Sequence, residues 1–222
     1  MGTMRKRARN SFCFSGCFEL REILGKAAWD TRELLEFLEE VPEDSIYYHT
    51  HSYFLRHPYI AGFYPNDFAH WAATQVGDKV LAERLAVLLP RDFLDLEGLR
   101  NTMLNVLDQH LSRLDLVPRV AYGEAFHFMR STMRRVDTGL EARDLKTFQE
   151  ILAGVDLSVI FFHTFEAWFR HGRIEGDFAV WLDEELGLRE LRQRIAQLDP
   201  YAMSLEGYRK RLLALCDEYR KA

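Results

Sequence analysis

Cysteine is scarce, with three in 222 residues, an odd number that builds no disulfide framework and fits a reducing compartment. Neither sign of charge dominates: 29 Lys and Arg face 34 Asp and Glu, for a net charge of −5. A chain of that balance does not neutralise many phosphates, so no nucleic-acid partner is expected. No apolar run reaches the roughly 18 to 20 residues of a membrane span. The opening MGTMRKRARNSF is basic but has no apolar signal core, so no membrane association and a cytoplasmic location are expected. A Gly-rich phosphate loop, a GxSxG elbow and a CxxC pair are also missing, which leaves nucleophilic catalysis without sequence support and gives no reason to expect a cofactor. What remains is 48% hydrophobic and 28% charged, the balance of an ordinary globular protein.

The chain repeats itself. Ile46-Tyr47-Tyr48-His49-Thr50 with Arg56-His57 is echoed by Ile160-Phe161-Phe162-His163-Thr164 with Arg170-His171. The same offset pairs Phe12 and Phe14 with Phe126 and Phe128, Gly25 with Gly139, and Asp30 with Asp144. After a shortening of the second copy, Asp67-Phe68-Ala69-His70-Trp71 matches Asp177-Phe178-Ala179-Val180-Trp181, and that register runs on to Pro90 and Pro200. The expected organisation is a flexible basic N-terminus over 1–11, a first helical unit over 12–112, a linker over 113–125 and a second helical unit over 126–222.

Each unit reads mostly as helix. Leu34, Leu35, Leu38 and Val41 recur at helical spacing behind Asp30 or Thr31 as N-cap. Asp44 to His57 is aromatic on nearly every face, the mark of a helix buried on most sides, and Gly172 suits the C-terminal cap of its counterpart. Asp67 and Asp177 stand where N-caps belong, opening helices that break near Gly77 and Gly187. Phe12-Cys13-Phe14 and Phe126-His127-Phe128 alternate like short strands, but helix suits that length as well. The fold class expected is mainly α, two tandem helical pseudo-repeats related by approximate two-fold symmetry, with at most a small strand contribution. The phrases SIYYHTH, YPNDFAHW and LAERLAVL resemble a bacterial and archaeal family of unknown function marked by YYH and NDF motifs. The resemblance groups Tyr47, Tyr48, His49, Asn66, Asp67 and Phe68 and implies nothing about substrate.

On one continuous helix His49, Tyr53, Arg56 and His57 would share a face. With Asp67 nearby, such a set makes an anion site or an acid/base pair. The plainer reading is that His49 and His163 are buried and hydrogen-bonded while Arg56 and Arg170 bridge elements. Metal ligation by His49, His51, His57, Asp67 and His70 matches no known spacing, so no metal site is expected. Cys13 and Cys17 read as small buried apolar residues. Tyr47, Tyr48, His51, Tyr64, Asn66 and His70 add polar groups that the second copy replaces or lacks, and polar groups in a core are costly unless paired. The sequence therefore favours a non-catalytic module that binds a small polar ligand or a protein partner. The candidate ligand residues are Tyr48, His49, Tyr53, Arg56, His57, Asn66, Asp67 and His70. The alternatives are a hydrolase-like, metal-dependent enzyme with His49 as base or ligand, Asp67 orienting it and Arg56 holding an anion, and a purely structural subunit; homo-oligomerisation is left open.

Overall fold

The computed structural model describes residues 7–60, 62–172 and 175–221. Two long strands, β1 (Phe12–Ala28) and β2 (Phe126–Ala142), pair as one antiparallel two-stranded sheet. This corrects the expectation of a mainly α chain of two-fold-related tandem helical repeats: the described residues are mixed, about 56% helix and 17% strand. The Phe-x-Phe phrases are the openings of these strands. Their continuations hid the pattern because much of each lies in solvent, where residues such as Arg21, Glu22, Arg134, Arg135 and Asp137 need not alternate with apolar ones. Both strands carry a glycine with left-handed backbone, Gly25 at φ 73° and Gly139 at φ 69°. Asp137 Oδ1 accepts from the Gly139 N–H and Thr138 Oγ1 from that of Leu140. Such kinks, with the amides already bonded, discourage another chain from adding to the sheet edge.

The described residues within Glu19–Arg56 and Gly62–Thr132 form one compact unit, called N-terminal below, and those within Met1–Phe18, His57–Ala61 and Met133–Ala222 form a second, called C-terminal. Each strand is divided between them. The helices that follow β1 in sequence thus pack on the opening of β2, and those that follow β2 pack on the opening of β1.

The N-terminal unit holds α1 (Thr31–Glu40), α2 (Glu43–His49), α3 (Tyr53–Arg56), α4 (Asp67–Trp71), a π-helical turn (Ala72–Val76), α5 (Lys79–Ala86) and α6 (Leu96–Leu111). Asp30 caps α1 as expected, accepting from the amides of Arg32 and Glu33. Leu34, Leu38, Ile46, Phe68, Leu81, Leu99 and Leu107 build the core with Phe126 and Phe128. The expected continuous helix through His57 is broken after His49. Thr50 Oγ1 donates to the Ile46 carbonyl at 2.6 Å, a bond that competes with the helical ladder, and the Ser52 hydroxyl is drawn to Glu19 Oε1 at 2.5 Å. The helix opened by Asp67 does break at Gly77.

The C-terminal unit holds α7 (Leu145–Gly154), α8 (Leu157–His171), α9 (Asp177–Glu184), α10 (Arg189–Ala196) and α11 (Leu205–Lys221). Here the counterpart helix is continuous and ends at Gly172, φ 61°. Phe12 and Phe14 sink into this core, with ring centroids 5.3 Å from Phe178 and 5.6 Å from Phe148 respectively. Of the basic N-terminal run, Arg5 and Lys6 lie outside the described residues. Ala8, expected in a frayed segment, is buried and donates its N–H to Arg143, because the chain must reach strand β1 along a packed surface. Among the described residues no single helix is long and apolar enough to cross a membrane.

Candidate functional site

At the end of α2, the buried His49 ring faces two partners. Nδ1 lies 2.8 Å from Asp67 Oδ2, and Nε2 lies 3.0 Å from the backbone N of Met129 on β2. A backbone N–H only donates, so Nε2 must present its lone pair and the ring proton sits on Nδ1, donated to Asp67. Arg56 completes the group, with Nη2 donating to Asp67 Oδ2 at 2.6 Å and to the Tyr48 carbonyl at 2.7 Å. Its guanidinium carbon stands 4.2 Å from the centre of the Tyr48 ring and 5.8 Å from that of Tyr53, within cation–π reach. Burial pulls the His49 pKa below the ordinary histidine value, outweighing the opposing pull of Asp67. For Asp67 burial acts upward, but the His49 hydrogen bond and the Arg56 charge outweigh it and hold the carboxyl below the usual range.

The C-terminal unit contains the same clasp. His163 Nδ1 donates to Asp177 Oδ2 at 2.7 Å, its Nε2 accepts from the Ser15 N–H at 2.9 Å, and Arg170 Nη2 donates to Asp177 at 2.6 Å and to the Phe162 carbonyl at 2.9 Å. Burial lowers the His163 pKa, and Asp177, despite burial, is held down by His163 and Arg170. In each unit the clasp ties a helix, at its end in α2 and mid-length in α8, to a strand that arrives from far along the chain. Its chemistry is that of a brace: with both ring nitrogens engaged, neither histidine has a lone pair for a substrate proton or a metal ion.

Of the sequence candidates, the structure brings Tyr48, His49, Tyr53, Arg56 and Asp67 together. Asn66 does something else: it, and not Asp67, is the N-cap of α4, its Oδ1 accepting from the Ala69 N–H at 2.8 Å while Nδ2 donates to the Leu85 carbonyl. Asp67 stands one place later, which frees its carboxylate for the clasp. At the matching place in the C-terminal unit Gly176 precedes α9 and offers no side-chain cap. His57 groups with the C-terminal unit. His51 is fully buried, its ring 5.1 Å from that of Tyr47. Cys17 is buried and Cys13 exposed, since Cys13 sits on the outward side of β1 between Phe12 and Phe14. Among the described residues no three His, Cys, Asp or Glu side chains converge as a metal site.

His70 is exposed and faces a pocket of about 270 Å3 that lies over the clasp within the N-terminal unit. Tyr48, His49 and Asp67 reach its lining. Sequence reasoning missed the remainder: Trp71, Thr74, Gln75, Glu124, Ala125, Phe126, His127 and Met129. Thr74 and Gln75 ride on the π-helical turn, a distortion often found at functional sites. The signal available was the copy-to-copy comparison already applied to His70, extended to Glu124 and His127, which replace Asn10 and Cys13.

A sequence profile described as "Family of unknown function (DUF5752)" matches residues 9–217. The structure of OrfY from Thermoproteus tenax is similar, with a TM-score of 0.74 and 23% sequence identity over 97% of this chain and 98% of that one, a likeness of fold. No curated protein matches the chain.

Proposed function

Because the chain belongs to DUF5752, a family of unknown function, we propose its role from geometry alone: a non-catalytic binding protein whose N-terminal unit takes a small polar ligand in the pocket over the His49 clasp. The observation that carries this reading is the contrast between the braced floor and the mixed rim. The clasp spends its polar groups on one another, as a support that holds ring and carboxylate still. Around it, His70, Thr74, Gln75, Glu124 and His127 bring imidazole, hydroxyl, amide and carboxylate to one concavity beside aromatic walls, the composition of a small-molecule site.

The enzyme alternative loses its base, since the His49 lone pair is taken by the Met129 N–H. A screen of small polar compounds by thermal shift on the purified chain tests the proposal. Compounds that raise the melting temperature are expected to lose that effect in His127→Trp, which fills the pocket mouth from an exposed position, while the ligand-free melting temperature holds. Shifts that persist in this variant would place binding elsewhere.

A further inference from the structure

We propose that this pocket is selective for a small organic ammonium ion, an inference that rests on the binding reading above and names its ligand class. The pocket is lined by two acids, Asp67 and Glu124, and by no lysine or arginine. Asp67 is kept ionised by the clasp, and Arg56, which balances it, is stacked on the Tyr48 ring and is not among the lining residues.

The Glu124 carboxylate is the uncompensated charge. Both of its backbone groups are engaged: its N–H donates to Gln75 Oε1 at 2.9 Å and its carbonyl accepts from Trp71 Nε1 at 3.0 Å. Gly123 lets the loop come this close, since a Cβ there would meet Gln75 Oε1 at 2.2 Å. Its side chain has no hydrogen-bond or ion-pair partner among the described residues. The C-terminal unit solves the same corner in the opposite way. There Trp181 Nε1 donates to the Asn10 carbonyl, and the carboxylate belongs to Glu185, which accepts from the N–H of Arg9, the N–H of Asn10 and Asn10 Nδ2. That acid is consumed in a latch. In the N-terminal unit an amide, Gln75, takes over the bonding to the backbone, and the acid is transferred to the rim with nothing to hold.

The walls suit a cation as well. Besides Tyr48, whose ring carries Arg56, Trp71 and Phe126 line the pocket, and aromatic faces attract ammonium groups. A pocket of about 270 Å3 holds a molecule the size of choline or putrescine.

The test titrates choline, putrescine, the neutral carbon analogue of choline and butyrate into the full chain, read by tryptophan fluorescence and calorimetry. Saturable binding of choline or putrescine, with the neutral analogue and butyrate much weaker, is expected; which of the two binds tighter tells a quaternary from a primary ammonium. Glu124→Gln should weaken the cation by about threefold or more, the scale of an exposed charge pair, without moving the melting temperature. Equal affinity for the neutral analogue, or unchanged affinity in Glu124→Gln, would overturn the ammonium inference while leaving the pocket reading standing. If no compound in this panel or in the wider screen binds in a way that His127→Trp abolishes, both fail.

Discussion

The two clasp histidines carry the residue-scale consequences. His49 and His163 are held below the ordinary histidine pKa, and Asp67 and Asp177 below the ordinary aspartate value. A group whose folded pKa lies under its unfolded one supplies stability above the unfolded value and loses it as pH falls towards the folded one. The unfolded chain takes up protons on histidine near pH ~6.5 and on aspartate near ~3.9. Stability should therefore decline below about pH 6.5, and again below about pH 4. Melting temperature followed across this range checks the sign; a flat profile between neutrality and mild acid would contradict it. Replacing His49 by Ala should cost about 2 to 4 kcal/mol, because it strands the Met129 N–H and leaves Asp67 with Arg56 alone. Chemical denaturation measures that, and nitrogen NMR of the ring should show the proton on Nδ1.

At the scale of elements, the strands are shaped by their glycines and anchored by their phenylalanines. Gly139→Ala forces a side chain into left-handed backbone and should destabilise by roughly 1 to 2 kcal/mol, read from the denaturation midpoint. Phe14 is fully buried against Phe148, so Phe14→Ala should cost about 3 to 5 kcal/mol. The location of the damage is the sharper outcome. Amide exchange should rise first in α7 and α9, more than a hundred residues away in sequence, and not in α1, the helix that follows β1 directly. Protection lost first in α1 would show that the strand opening is assigned to the wrong set of helices. The halves of the chain also differ within one element: α8 runs unbroken where α2 and α3 are separated by Thr50 and Ser52. Thr50 recurs as Thr164, whereas Ser52, whose hydroxyl is drawn to Glu19, is replaced by Glu166, so that contact is peculiar to the broken helix.

For the whole molecule, the sequence by itself determined much of the helical content and the identity of the clasp residues. Helix positions follow from local periods and caps, as with Asp30 before Leu34 and Leu38, and these need no distant partner to be legible. The matching of His49 with His163, Arg56 with Arg170 and Asp67 with Asp177 was likewise readable, because each phrase is short and repeated nearly intact. Only the tertiary structure decided what these residues are for. Asp67 looked like a cap until Asn66 was seen to hold the Ala69 amide, one residue being too fine a difference for spacing to resolve. That the histidines are buried and hydrogen-bonded was the plainer reading of the sequence, but their partners were not legible there: the amides of Met129 and Ser15 fill the ring lone pairs, a partnership across about eighty residues in one case and nearly one hundred and fifty in the other. The long strands stayed hidden for a related reason: an exposed ribbon imposes little hydrophobic alternation, so its pairing is written in contacts between distant segments and not in any local pattern. The pocket rim is the extreme case, since Gln75 and Glu124 meet only because a π-helical turn and a glycine loop bring them to the same corner of the fold.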